Sequence, residues 1–525
     1  MPRERPFECK PLSFSTTMRN PARIADFLTC ILPFEGQILT NNIIHRVAAS
    51  LIKKKWYCPM YIKRTPRLQS VFREEREFSD DEVSEIMRNS PQNHKEAGFD
   101  RGWPSRFDTW YKLPMEFGFL YYEMNKPIQI STTGHMLLDA HHEMPANDQK
   151  IKNVFLNALV KYQTNNPFRK NSNSNSPLVL LLQVIKLLKE DPAENGAGIF
   201  KSELSLIICW PDSDANALYR KIKEIRGKYR FTYGDELLYE ICLDLLGASE
   251  AQRNRFKINQ ITGEAVDEFI RKMRITGIVS LRGNGRFIDF NSFESEKIEY
   301  ILNRYNTVPT YACKQDFYAY ISKIDPEILS KEQELEETEI EDIRTAAINR
   351  WAGDYSKEEI INELNIVCGR GESHNPVLRI LDKPTRFEFL SGIALKQNFP
   401  GITVKPNYRV DDEGLPTFTA GGGVADIECF DTDCTLLIEV TLLCARNQAT
   451  NEMPAITRHL QDCLVKYPAK TVFSVLVAPS IHPDTLYMAA FSKHRYDVDI
   501  VTVTIGKFIE QIQKKERIVE LLSLV

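Results

Sequence analysis

The stretch GGGVADIECFDTDCTLLIEVT, Gly421 to Thr441, decides how the C-terminal part of the chain is read. It presents two short apolar strands joined by a polar turn, and each carries a carboxylate, Asp426 and then Glu439. Acids on apolar strands lose most by desolvation, so their placement needs a reason. A strand–turn–strand hairpin brings positions at this separation side by side. Spacing alone leaves two readings open. The acids face solvent at a sheet edge, or together they hold a metal ion.

The surrounding sequence extends the pattern. From about residue 350 the order reads helix, strand, strand, helix, strand, strand, helix, and the late strands TVFSVLVAP and VDIVTVTI are nearly all apolar. Apolar strands mixed with helices predict an α/β layer structure with a buried sheet. In NEMPAITRHL, Glu452 and His459 lie seven residues apart, two helical turns, and share a face. The segment DKPTRFEFLSGIALKQ is helical after Pro384, with Glu388 near its start. There Thr385 and Glu388 have capping-box spacing, so Glu388 either closes a helix end or joins the acids. Two carboxylates side by side suit Mg²⁺, which takes one or two of them plus water and substrate phosphate. Asp426, Glu439 and Val440 form the candidate metal set. Glu452 or His459 would orient or deprotonate an attacking water.

Toward the N-terminus the chain reads differently. The expected divisions are 1–150, 151–310, an acidic linker 311–350, and 351–525. Region 1–150 holds the helical NNIIHRVAASLIKKKWY, a second helix announced by the capping pair Ser79 and Glu82, then a strand, a turn at Asn125-Lys126, a strand Ile128–Ile130, and a helix capped near Thr132. Region 151–310 closes with AVDEFIRKMRITGIVSLRGNGRFIDF, where a helix ends at Gly277 and a hairpin turns at Gly283-Asn284-Gly285. Both have the order of a winged-helix unit. Residues 325–345 carry nine acids against two bases, which excludes this run as a DNA-contacting surface.

Bulk composition constrains less. With 525 residues the chain exceeds one core, and 43% hydrophobic and 26% charged residues are ordinary for a soluble globular protein. A net charge of −4 neither implies nor excludes nucleic acid, because clustered basic surface matters more than the sum. Eleven scattered cysteines without a C-x-x-C pair predict free thiols. MPRERPFECK has no apolar signal core and no run reaches membrane length, so a cytoplasmic protein is expected.

The pair ADIECFDTDCTLLIEVT and NEMPAITRHL resembles the cleavage domain of AlwI-type Type IIS restriction endonucleases and their BstNBI-type nicking relatives. MRNPARI, PFEGQIL, TTGHML and the AVDEFIRKMRITGIVSLRGNGRFIDF stretch resemble other parts of the same family. The resemblance implies a multidomain α+β enzyme. Winged-helix-like subdomains would read DNA, and a C-terminal nuclease core of the PD-(D/E)xK class with a mixed sheet would cut it. It further implies an active site of Glu388, Asp426, Glu439, Glu452 and His459, with Mg²⁺ as cofactor and a short asymmetric site as target. The sequence departs from the nuclease signature at Thr441, where lysine is usual. The resemblance makes Glu452 the substitute base, with His459 assisting.

Candidate phosphate contacts are Lys53, Lys54, Lys55, Lys63 and Arg64, interleaved with Trp56, Tyr57 and Tyr61, then Arg220 and Lys221, and the hairpin arginines Arg282 and Arg286. One catalytic domain makes one cut, so cutting both strands needs a homodimer or a second subunit. The amphipathic C-terminal helix offers a dimerising face, or simply packs on the sheet. The rival readings are a strand-specific nicking enzyme of the same family, and a winged-helix DNA-binding regulator without cleavage.

Overall fold

The computed structural model describes residues 18, 20–73, 76–143, 146–169, 171, 173–194, 196, 198–248, 253, 256–331, 336–369, 371–444 and 446–524. The expectation of no signal core falls on residues outside this set, as does the middle of the acidic run, 332–335. The chain divides into two compact units. The first comprises Met1–Pro66 and Phe78–Gln333, the second Arg67–Glu77 and Glu334–Val525.

The first unit is mostly helical. Helix Asp80–Arg88 begins in the expected capping box, with Ser79 Oγ accepting from the Glu82 amide and Glu82 accepting from the Ser79 amide. Strands β1 (Leu120–Tyr121) and β2 (Gln129–Ile130) pair antiparallel. The helix that follows, Thr132–His142, is capped by Ser131, one residue earlier than expected, through a bond from the Gly134 amide. Gly134 has no alternative, since a Cβ there would lie 2.1 Å from the Phe119 carbonyl oxygen. Tight packing of this helix on the strand therefore explains the glycine in TTGHML.

Further along, β3 (Ile199–Phe200), β4 (Val279–Arg282) and β5 (Phe287–Phe290) form a three-stranded sheet in the order β3-β5-β4. The β4–β5 turn carries positive φ at Gly283, Asn284 and Gly285 (58°, 53° and 80°), so two glycines and an asparagine suit it. Buried Arg226 ties this part together by pairing with Glu203 and Glu194 and donating to the Gly198 carbonyl.

The second unit is built on a five-stranded sheet. Its strands are β6 (Thr403–Pro406), β9 (Ile427–Phe430), β10 (Cys434–Val440), β11 (Thr471–Ala478) and β12 (Ile500–Thr504), in the order β12-β11-β10-β9-β6. Strands β10, β11 and β12 run parallel, while β9 is antiparallel to both β10 and β6. A side hairpin of β7 (Tyr408–Val410) and β8 (Pro416–Ala420) stands apart from this sheet. Helix Met453–Lys466 covers one face, burying Met453, Ile456 and Leu460 with Leu437, Val472 and Leu476.

Two differences from expectation concern this unit. The last two strands are not consecutive, because helix Pro483–Tyr496 lies between them and makes their parallel pairing possible. Its exposed Leu486, Tyr487, Phe491 and Tyr496 blur the amphipathic pattern that would have announced it. Moreover, part of the acidic run belongs to helix Glu337–Asp354, which buries Arg344, Ala347, Ile348 and Trp351. The contact boundary falls between Gln333 and Glu334, inside the stretch expected as linker. The amphipathic helix Ile505–Lys514 buries Ile505, Phe508, Ile509 and Ile512 in its own unit. Among the described residues no helix is long and apolar enough to cross a membrane, and the described cysteines are free thiols.

Candidate active site

Antiparallel pairing sets Ile438 opposite Ile427, which brings Glu439, near the end of β10, beside Asp426, the residue just before β9. The register is locked at this point, since the Val440 amide donates to Asp426 Oδ2 at 2.8 Å. The two acids of the hairpin therefore stand together at one end of the sheet.

Glu388 reaches the same place from helix Lys383–Asn398. This helix has Asp382 at its N-cap without a side-chain cap, so the capping-box reading of Thr385 and Glu388 does not hold. Instead Glu388 is 4% exposed, and its Oε2 accepts from the Ala420 amide of β8 at 2.9 Å. On the opposite side, His459 Nδ1 lies 2.9 Å from Glu439 Oε1. Glu452 ends a π-helical turn, Gln448–Glu452, that opens helix Met453–Lys466. Its Oε1 accepts from the Thr441 hydroxyl at 2.7 Å. The hydrogen bonds and mutual repulsion of these groups join all five expected residues into one cluster.

The same closeness appears in the electrostatics, because the acids disfavour one another's charged forms. Burial, reinforced by Asp426, lifts Glu388 well above the usual carboxylate range. Asp426 keeps some exposed surface, yet protein crowds its carboxyl, and that enclosure together with Glu439 raises it strongly. Burial pushes Glu439 up to about 8, opposed by hydrogen bonding to the Asp426 backbone. Glu452 is raised by burial, and the Thr441 bond pulls it back. Burial lowers His459, with Arg458 adding to the effect. Burial thus disfavours the charged form of both partners of the 2.9 Å His459–Glu439 contact.

Buried carboxyls that raise one another are a donor set whose ionised form a divalent cation stabilises. The residues fit Mg²⁺ in number, with Asp426 and Glu439 as the two carboxylates. Among the described residues no group of three or more His, Cys, Asp or Glu side chains is arranged to hold a metal ion, so any site rests on that pair and on non-carboxylate ligands. Val440, next to Glu439 at the end of β10, has its amide turned to Asp426.

The nine basic candidates divide into two kinds. Several are engaged within the protein. Lys53 pairs with Asp80 at 2.8 Å, Lys54 lies 4.8 Å over Trp56, and Lys55 lies 5.8 Å over Phe78. Lys221 pairs with Glu224 at 3.0 Å. Arg282 folds back on Asp289 at 3.0 Å and on the Phe290 carbonyl at 2.9 Å. Lys63, Arg64, Arg220 and Arg286 are exposed, and of these Lys63 too is engaged within the protein.

Sequence reasoning missed Thr441 as the hydrogen-bond partner of Glu452. The signal was strand alternation, which carries Thr441 to the side of Glu439, two residues before it.

The family model for the AlwI restriction endonuclease matches residues 115–350 and 339–511, well over half of the chain. The chain belongs to that family. It is therefore a DNA endonuclease by family, and the clustered acids lie within the second matched segment. No curated protein matches. Among solved structures, the small subunit of the heterodimeric restriction endonuclease R.BspD6I shares 23% identity over 30% of this chain and 77% of its own, at a TM-score of 0.26. The BpuJ1 endonuclease binding domain in complex with modified DNA shares 13% over 60% and 98%, at 0.31. Restriction endonuclease FokI bound to DNA shares 12% over 98% and 97%, at 0.25. At these scores none of the three carries the functional reading.

Proposed function

We propose that this member of the AlwI restriction endonuclease family is a Mg²⁺-dependent, Type IIS site-specific nuclease. It would bind a short asymmetric DNA site through its first unit and hydrolyse a phosphodiester with the carboxylate cluster of its second. The observation that carries the reading is the junction of Asp426 and Glu439 across β9 and β10, with Glu388, Glu452 and His459 around it.

Asp426 and Glu439 would hold the ion. When bound, Mg²⁺ lowers the pKa of a water and neutralises charge developing on the scissile phosphate. The protein's own groups do the rest. Glu452 accepts a proton from the attacking water, from a carboxylate fixed by the Thr441 hydroxyl. His459 holds Glu439 in one orientation through the 2.9 Å bond. Glu388, anchored on the Ala420 amide and held neutral by burial and by Asp426, would gain its charge when a cation beside Asp426 offsets that repulsion.

In the first unit, the arrangement of helix Ala265–Arg274 with the β4–β5 hairpin supports a winged-helix-like DNA reader, and the β1–β2 hairpin followed by helix Thr132–His142 supports a second. The exposed Arg286 at the hairpin is the better phosphate contact, because Arg282 is committed to Asp289. A homodimer or a second subunit would supply the second cut.

The test is incubation of the purified protein with supercoiled plasmid, with Mg²⁺ and with EDTA. Discrete fragments or open circles only with Mg²⁺ support the reading. Plasmid that is bound but left intact in both supports a DNA-binding regulator instead.

A further inference from the structure

Glu452 is held from two directions. From below, its π-helical turn is pinned by Gln448, which is fully buried and uses its whole side-chain amide. The Gln448 nitrogen donates to the Leu443 and Ser480 carbonyls, and its oxygen accepts from the His482 amide and the Thr485 hydroxyl. From the sheet, Thr441 supplies the second hold. Its backbone N–H continues the β10–β11 ladder onto the Val477 carbonyl at 3.0 Å. The Leu443 amide donates into the Thr441 hydroxyl oxygen at 3.0 Å. A hydroxyl has one proton, and with an amide already pointing into its oxygen that proton is directed at Glu452 Oε1, 2.7 Å away. Thr441 is 7% exposed, so water is a poor substitute for this donor.

From this geometry we propose that Thr441 is a positioning residue that sets the Glu452 carboxylate toward Asp426 and Glu439 and acts on DNA cleavage only through Glu452. The proposal rests on the nuclease reading above. It accounts for a short hydroxyl side chain beyond the end of β10. A longer side chain at this buried position would displace Glu452 instead of orienting it.

The test is a double-mutant cycle on the full-length protein, using Thr441→Val, Thr441→Ser, Glu452→Gln and the Thr441→Val/Glu452→Gln pair. Plasmid cleavage in Mg²⁺ is read alongside Ca²⁺ affinity by calorimetry and DNA binding in Ca²⁺. Thr441→Val should lower kcat by roughly 10–100-fold, the usual effect of losing a supporting hydrogen bond, with KM unchanged. Thr441→Ser should restore most of the rate. Adding Thr441→Val to Glu452→Gln should cost nothing more, and Ca²⁺ affinity and DNA binding should stay at the wild-type level. Wild-type rate in Thr441→Val overturns the proposal, as do multiplicative losses in the pair, failure of Thr441→Ser to restore the rate, or a parallel loss of Ca²⁺ affinity. Should Thr441→Val fail to fold, Thr441→Ala takes its place in the same cycle. A wild-type protein that leaves plasmid intact in Mg²⁺ defeats the nuclease reading itself, whereas wild-type cleavage with an additive cycle defeats only the role of Thr441.

Discussion

His459 and Glu439 meet between the sheet and the helix that covers it, with Nδ1 2.9 Å from Oε1, one group on the crossover helix and the other on β10. The contact fixes the rotamer of a carboxylate proposed to bind metal, which makes His459 a supporting residue. Replacing His459 with Ala is expected to reduce cleavage by roughly 10–100-fold, the range seen when the partner of a metal ligand is removed. Mg²⁺ titrations of the rate should show the loss mainly as weaker metal dependence. A variant with unchanged Mg²⁺ dependence would contradict this role.

Glu388 is expected to trade stability for function. Glu388→Gln keeps an oxygen for the Ala420 amide while removing a buried carboxyl that burial and Asp426 keep well above its normal range. The variant should melt, in EDTA, at the same temperature as the wild type or higher, yet cut plasmid more slowly. A lower melting temperature with full activity would show that Glu388 is structural.

Much of this site was legible in the sequence, and the reason is geometric. Strand alternation and antiparallel register are short-range rules, so the thirteen-residue separation of Asp426 and Glu439 translated directly into a pair. Glu388 was ambiguous because the same Thr-x-x-Glu spacing serves a helix cap, and only the position of β8 decides between them. Helix Pro483–Tyr496 escaped notice because its exposed aromatics break the periodicity. The basic candidates were legible as charges, but their commitments were not. Arg282 and Arg286 look equivalent in sequence, and only the pairing of β4 with β5 places Asp289 where it takes one of them.

That asymmetry is measurable. Arg286→Ala should weaken DNA binding and lower the slope of log affinity against log salt by about 1, as expected for one lost phosphate contact. Arg282→Ala should leave the slope unchanged and lower the melting temperature, because buried Asp289 loses one charged partner and keeps Lys189 at 2.9 Å and the Phe290 amide at 2.7 Å. Equal slopes for both variants and the wild type would remove this hairpin from the DNA contacts.

A pH effect is expected in the first unit. Burial pushes Lys161 down to about 8, where its ammonium donates to Asn157 Oδ1 at 2.9 Å and to the Lys323 carbonyl. The folded state therefore releases this proton near pH 8, whereas the unfolded chain holds it to about 10.5. Between these values the unfolded chain binds more protons, so stability rises with pH through that window. In urea unfolding, the wild type should gain on Lys161→Met as pH increases from about 8 to 10. A pH-independent difference would contradict the buried charge.

The central claim is that Asp426 and Glu439 act as one metal-binding pair, and the most direct test compares wild type, Asp426→Asn and Glu439→Gln in two assays on the same preparations. The account predicts Mg²⁺-dependent plasmid cleavage by the wild type only. It also predicts DNA binding by all three and a rise in melting temperature with Ca²⁺ that both variants lose. Cleavage by either variant at the wild-type rate, or a Ca²⁺ shift that survives in both, would contradict it.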